Sequence, residues 1–224
     1  MVRTKQSLCG APGPTYDRSD VGSAGTVDRS LALRHFALQS DKPGHLADVD
    51  LGSLEPTLRS LLLTDGTVTR ALEAQALAPV TVAVAAQGSA PLPDTVASQL
   101  DARSGESSVR RLVEIGLAGS PTPLIWAESH ILPERLPDDF LRVLDSAPEG
   151  IGESLQQVRL ESCRDLLWLG FDTVPAWSGA TAGPSASVIT RCYRVIAGGR
   201  PCLLIAESFA VERYAGAYRL GWLG

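Results

Sequence analysis

Apolar and polar residues alternate in several short segments of the chain, the pattern of strands with one buried face. The segments are residues 80–86, 108–117, 123–131, 188–196 and 202–209, and turns rich in glycine or proline join the last four in two pairs. Two alternating runs joined by such a turn predict an antiparallel hairpin. The sequence therefore predicts two hairpins and one further strand.

Leucines at helical spacing precede these strands. Ser53 is predicted to cap a helix whose leucines lie in residues 54–62, and Asp65-Gly66 supplies residue types that end a helix. Thr67 is predicted to cap a second helix over residues 68–72. The two helices would then meet at a tight turn.

The remaining segments are predicted as loops and short helices. Loops are predicted at residues 88–107, with a short helix at 94–100 inside, and at 148–152, after a short helix over 138–144. Strands that pair through hairpins, with helices grouped around them, are typical of α+β proteins. The predicted fold class is therefore α+β with an antiparallel sheet.

The N-terminal part of the chain differs in composition from the rest. Residues 1–45 are mostly small, polar or charged, and their apolar residues are concentrated in Leu31–Leu38. This composition predicts a flexible leader with one short segment that can dock on the body. Residues 46–224 are predicted to form a single domain.

Charge and hydropathy exclude several classes of partner. The 224 residues include 20 basic and 25 acidic side chains, for a net charge of −5, and the basic residues are scattered. Phosphate binding needs a clustered basic face, so nucleic acid is not an expected partner. The chain has no run of roughly 18 apolar residues and no secretory signal, so we expect a cytoplasmic protein that does not span a membrane.

Motifs for cofactors and metals are absent from the sequence. The four cysteines form no CxxC pair, the three histidines have no metal-binding spacing, and GxGxxG, Walker A, GxSxG and HExxH motifs do not occur. Nucleotide cradles, serine hydrolases and zincins depend on these motifs. The sequence therefore predicts neither a metal site nor a cofactor.

Arg111 is the first residue that alternation singles out. It shares a strand face with Val113 and Ile115, whereas Arg110 points to the opposite face. A buried guanidinium is costly unless an anion meets it, and its planar fork suits a carboxylate. The alternative is that the register is misjudged and Arg111 lies at the edge or surface.

Glu207 raises the corresponding question for an anion. Alternation places it on a face with Leu203 and Ile205, where a buried carboxylate needs a hydrogen-bond donor, which makes it a site candidate. The alternatives are a structural ion pair or a solvated carboxylate at a strand end. Glu128 is a weaker candidate, because a hairpin with one solvated face often carries such a residue.

Several segments, in order, resemble the chorismate lyase family, also called chorismate pyruvate-lyase. The matching segments are Leu61–Leu72, Arg111–Ile115, Trp126–Ser129, Arg135–Pro137, Gly150–Glu153, Arg191–Pro201 and Leu204–Phe209. The resemblance implies an antiparallel sheet of about six strands curled around an internal ligand pocket, with helix-turn-helix flaps over it. Residues 46–224 would form this lyase-like domain.

The resemblance also implies a site and an activity. The family's arginine for the ring carboxylate falls on Arg111, its carboxylate near the substrate hydroxyl on Glu207, and its two enclosing backbone positions on Val68 and Ile151. The implied activity is elimination of pyruvate from chorismate to give 4-hydroxybenzoate, by a monomer without a cofactor. The alternatives are an enzyme that forms another hydroxybenzoate and a non-catalytic small-molecule sensor of the same fold.

Overall fold

A computed structural model describes residues 33–146, 150–181 and 187–214 of the chain. Within these residues, six strands form one sheet in the order β1-β2-β3-β6-β5-β4, and every neighbouring pair is antiparallel. The strands are β1 (Val80–Pro91), β2 (Ser107–Leu117), β3 (Ile125–Ile131), β4 (Ser162–Thr173), β5 (Ser187–Ala197) and β6 (Arg200–Ala210). The predicted α+β class and antiparallel sheet are confirmed.

In the described part of the chain, five α-helices accompany the sheet. They are α1 (Pro56–Leu63), α2 (Val68–Ala76), α3 (Asp94–Gln99), α4 (Asp138–Ser146) and α5 (Ile151–Gln157). Buried side chains of α1, α2, α4 and α5 join the inner face of the sheet in one large apolar core. The helix α3 instead packs with a smaller cluster on the outer face, around Trp168 and Leu204.

Two predicted boundaries are wrong for identifiable reasons. The first helix begins at Pro56 rather than after Ser53, because proline favours the first helical position and disfavours helical backbone in the residue before it. Residues Leu51–Ser53 form a separate short 3-10 turn. The predicted loop at 148–152 is also too long, since α5 already begins at Ile151.

The strand β4 has no counterpart in the sequence-based prediction. Its central residues, 166–171, are apolar almost without interruption, so no alternation marks them. A bulge between Leu166 and Trp168 further disturbs the period. The strand β1 is likewise longer than predicted and continues through Pro91 into the expected loop.

The segment that precedes α1 covers the outer edge of β4. The backbone N–H groups of Ala37 and Leu38 donate to Leu166 and Leu167, and the Gln39 side chain bonds both the N–H and the carbonyl of Leu169. This segment therefore satisfies backbone groups that an edge strand would otherwise expose.

Only part of the predicted leader belongs to the described residues. Phe36, which belongs to the predicted docking segment, is buried in the main core. Residues 1–32 lie outside the described residues, and the boundary at residue 45 stays a prediction. In the part of the chain that the structure describes, no helix is long and apolar enough to cross a membrane.

Glu128 lies on the outer face of the sheet, opposite the large core. Its Oε1 accepts hydrogen bonds from Arg110 Nε at 2.7 Å and His130 Nε2 at 3.2 Å. The His130 bond, together with Arg110 and against the effect of burial, lowers the pKa of Glu128 from 4.5 to about 2. The weaker sequence candidate is thus held in a polar cluster on the opposite side from the core.

We expect the stability that Glu128 contributes to depend on pH. Its folded pKa is depressed, so the contribution is fully present above the unfolded value of 4.5 and disappears as the pH falls towards 2. Glu128→Gln should therefore lower the free energy of unfolding at pH 7 and make a smaller difference at pH 3, as measured by urea unfolding. The exposed Glu134→Gln is the control. An equal loss at both pH values for Glu128→Gln would contradict this assignment.

Candidate active site

A pocket lies between the inner face of the sheet and the helices that cover it. It encloses about 500 Å³ of atom-free space, part of it open to solvent. Its charged lining residues are two arginines and two glutamates. Its uncharged lining residues come from five strands and from the starts of α2 and α5. The charged residues are Arg111, Glu153, Arg164 and Glu207; the others include Val68, Ile151, Tyr193, Ser129 and Ile205.

Strand alternation brings Arg111 into this pocket, as the sequence predicts. Arg111 is 3% exposed and shares the inner face with Val113 and Ile115, which also line the pocket. Its Nη1 donates to Gln87 Oε1 and, at 3.3 Å, to the carbonyl of Leu144 at the end of α4. Burial lowers the pKa of Arg111, and the nearby Asp145 carboxylate partly opposes this effect.

Glu207 enters the same pocket from β6. It is 5% exposed, and its two carboxylate oxygens have different partners. Oε1 accepts a hydrogen bond from the Tyr193 hydroxyl at 3.0 Å, and Oε2 accepts one from Arg191 Nε at 2.8 Å. Arg191 Nη2 also lies 2.8 Å from Oε2. Glu207 is therefore oriented by two side chains of the neighbouring strand β5.

Arg191 is a residue of the site that the sequence analysis missed. It is fully buried, and its Nη1 donates to the carbonyls of Leu61 and Thr64 at 2.7 and 2.8 Å. These carbonyls stand at the end of α1, where helical acceptors lack internal donors. One guanidinium thus ties Glu207 to the turn between α1 and α2.

The register of the sheet fixes how the predicted charges face each other. Arg111 pairs with Ser129 on β3, which pairs with Ile205 on β6, two residues before Glu207. Arg111 and Glu207 are therefore two strand spacings and one two-residue step apart, roughly 12 Å between Cα atoms. Side chains of this length, pointing to one face, can contact opposite ends of a small ring.

The two predicted backbone positions lie at the starts of the covering helices. Val68 is the first residue of α2, Ile151 is the first residue of α5, and both line the pocket. The N–H groups of a first helical turn have no acceptor within the helix. The structure therefore places Val68, Ile151, Arg111 and Glu207 around one cavity, and their roles in binding stay predictions.

A polar contact joins the two helices across the pocket. The Thr69 hydroxyl of α2 donates to Glu153 Oε1 of α5. The approach is close at Gly152, where a Cβ atom would lie 2.8 Å from Thr67 Cγ2. The glycine therefore lets α5 pack against the α1–α2 turn, and the helices cover the pocket together.

A concave pocket lined by apolar side chains and a few converging charged groups, as in this α+β domain, is typical of a small-molecule site. The sequence model of the family described as "Chorismate pyruvate-lyase Rv2949c-like" matches residues 62–215. The chain belongs to this family.

Individual relatives carry the same name. The chain is 26% identical over 170 residues to a chorismate pyruvate-lyase of Mycobacterium tuberculosis H37Rv, covering 73% of this chain and 84% of that protein. It is 28% identical over 171 residues to a chorismate pyruvate-lyase of Mycobacterium leprae, covering 73% and 79%.

Solved structures share the fold at low sequence identity. The effector domain of PhnF from Mycobacterium smegmatis has a TM-score of 0.53 at 11% identity, covering 66% of this chain and 90% of that chain. A gene product of Staphylococcus aureus has a TM-score of 0.51 at 12% identity, covering 67% and 91%. At these identities the likeness concerns the fold alone.

Removing one partner of the Arg191–Glu207 pair should be strongly destabilising. Removing one partner leaves a buried charge without compensation, which costs about 3–5 kcal/mol. We expect Arg191→Met and Glu207→Gln each to lower the free energy of unfolding by about this amount, measured by urea denaturation. The double variant Arg191→Met/Glu207→Gln should lose less than the sum, because it buries no unpaired charge.

A matched control lies on the outer face of the same strand. Arg194 pairs with Asp165 at 2.9 Å, and both side chains are about a quarter to a third exposed. Arg194→Met should therefore cost only about 1 kcal/mol. Strict additivity in the Arg191–Glu207 double variant would show that the two charges do not stabilise each other.

Proposed function

We propose that this protein is a chorismate lyase, which eliminates pyruvate from chorismate and releases 4-hydroxybenzoate. The family to which the chain belongs supports the proposal. The observation that carries it is the pocket in which a buried arginine and a buried glutamate, Arg111 and Glu207, line the same ligand space.

The ring carboxylate of chorismate is bound by Arg111. The guanidinium is buried, and its planar fork matches a carboxylate in two-point geometry. The contacts with Gln87 and Leu144 hold Arg111 in place before the ligand arrives, so little side-chain freedom is lost on binding.

The hydroxyl at ring position 4 donates a hydrogen bond to Glu207. Each carboxylate oxygen can accept more than one hydrogen bond, so Oε1 can accept from the ligand hydroxyl while it accepts from Tyr193. Since Arg191 and Tyr193 fix the carboxylate, the hydroxyl is oriented together with the hydrogen on the same carbon.

The reaction requires the enzyme mainly to position the reacting atoms of the substrate. The ether bond between the ring and the enolpyruvyl oxygen breaks, the hydrogen on ring carbon 4 is lost, and the ring becomes aromatic. The departing enolpyruvate gains a proton on its methylene carbon and becomes pyruvate. Aromatisation drives these steps, and the enzyme holds the reacting atoms in line while Val68, Ile151 and their helices enclose the ligand.

Incubation with chorismate tests the proposal directly. We expect the purified protein to form 4-hydroxybenzoate and pyruvate in equal amounts without added metal ion or nucleotide, with both products identified by mass and retention time. A different hydroxybenzoate would make the protein another chorismate-converting enzyme. Tight binding without turnover would make it a sensor. Loss of activity on exhaustive chelation, restored by one divalent ion, would show that the reaction requires a metal.

Substitution of Arg111 tests its role against that of its neighbour. Arg111→Ala leaves the ligand carboxylate without a partner, which should lower the affinity by roughly 30-fold to several thousandfold. Arg111→Lys should recover part of the binding, without the two-point geometry. Both effects are measured as KM for chorismate and as affinity for 4-hydroxybenzoate.

The control for this series is Arg110→Ala. Arg110 pairs with Glu128 on the outer face, so its removal should change KM by less than about threefold. Greater damage from Arg110→Ala than from Arg111→Ala would refute the assignment of the carboxylate to Arg111.

A further inference from the structure

A second arginine reaches the pocket from β4, the strand that carries no alternation signal. Arg164 precedes Leu166 by two residues, and Leu166 pairs with Tyr193, so Arg164 lies on the inner face. Its guanidinium carbon is 5.9 Å from the centre of the Tyr193 ring, and Arg164 lines the same cavity as Arg111 and Glu207.

The hydrogen bonds of Arg164 leave one edge of its guanidinium open. Nη1 donates to the carbonyl of Asp65 at 2.6 Å, which holds the side chain against the α1–α2 turn. Nε is buried and has no hydrogen-bond partner. Nη2 lies beside Gly152, since a Cβ atom at that glycine would be 3.4 Å from it. The edge formed by Nε and Nη2 is one that binds carboxylates in two-point geometry.

Neither glutamate of the pocket forms an ion pair with this edge of Arg164. Glu207 is already paired with Arg191; Glu153 accepts from Thr69 at Oε1, and its Oε2 is buried without a hydrogen-bond partner. Among the described residues, Arg164 itself forms no ion pair. A buried donor without a partner carries a desolvation cost that a bound anion would remove.

The two arginines approach the pocket from opposite sides. Arg111 is on β2 and Arg164 on β4, four strand spacings apart in the sheet order, or about 19 Å across a flat sheet. Both nevertheless line one cavity. The cavity therefore presents two separate cations to its ligand, with the carboxylate of Glu207 on a strand between them.

We propose that Arg164 binds the second carboxylate of the substrate, the one on the enolpyruvyl group. This inference rests on the proposed chorismate lyase function. Arg111 then binds the ring carboxylate at one end, Arg164 binds the side-chain carboxylate at the other, and Glu207 contacts the hydroxyl between them. Arg164 thereby selects a dicarboxylate substrate over a monocarboxylate product of the same ring.

Two ligands that differ in one carboxylate separate this role from a structural one. The probes are 3-(carboxymethoxy)-4-hydroxybenzoate, which has a second carboxylate on an ether, and 4-hydroxy-3-methoxybenzoate, which does not. In calorimetric titrations, Arg164→Gln should weaken the dicarboxylate by roughly 30-fold or more and the monocarboxylate by less than about threefold. Arg164→Lys should recover part of the dicarboxylate affinity.

Two further variants make the comparison specific. Arg111→Ala should weaken both ligands, because both keep the ring carboxylate. The exposed Arg159→Gln removes a nearby positive charge and should change neither affinity. Equal weakening of both ligands by Arg164→Gln, or unchanged affinity for both, would overturn the proposal.

Turnover of chorismate separates the failure of this inference from that of the proposed function. If the wild type converts chorismate, Arg164→Gln should raise KM at least tenfold, and an unchanged KM would overturn the role of Arg164 alone. If the wild type does not convert chorismate, the lyase proposal fails. A selective loss of dicarboxylate affinity in Arg164→Gln would then still support Arg164 as a carboxylate-binding residue.

Discussion

The buried ion pair between Arg191 and Glu207 is the interaction on which the rest of the site depends. Arg191 is wholly buried, and its Nη1 donates hydrogen bonds to carbonyls at the end of α1. Two charges in such a place are tolerable only when each is matched and hydrogen-bonded. The pair therefore fixes the direction of Glu207 and, through the same guanidinium, the position of the turn that leads into α2.

The ion pair between Arg191 and Glu207 also determines the charge that the pocket presents to a ligand. Because Arg191 neutralises Glu207, the carboxylate can accept hydrogen bonds from a ligand without repelling an anion strongly. Arg111 and Arg164 then favour negative charge in the cavity. A neutralised acceptor between two cations suits a ligand with carboxylates and a hydroxyl, and it disfavours a neutral or cationic one.

The sequence predicted the parts of the site that lie on alternating strands. Arg111 and Glu207 could be found because the residues that alternation places on the same strand face as each of them are apolar. The same argument applied to β5 would have found Arg191, which shares a strand face with Ile189 and Tyr193. Arg164 was beyond reach, since β4 is apolar on both faces and carries a bulge, so no period indicates which side faces the pocket.

The start of α1 depends on local sequence, whereas the covering of the sheet edge depends on contacts between distant residues. The start of α1 is set locally by Pro56, and it could have been predicted from that residue. The docking of residues 36–39 on β4 could not, because it is decided by backbone groups of a strand about 130 residues later. Local composition indicates only that this segment has some apolar character.

The hydrogen bonds between Gln39 and Leu169 and between Arg191 and Leu61 each join residues 130 positions apart. Loops of this length must close before such contacts form, which slows folding. During synthesis, α1 and α2 leave the ribosome well before β5 and β6 exist. The ion pair and the pocket can therefore form only after β6 has been made, and until then α1 and α2 lack these contacts.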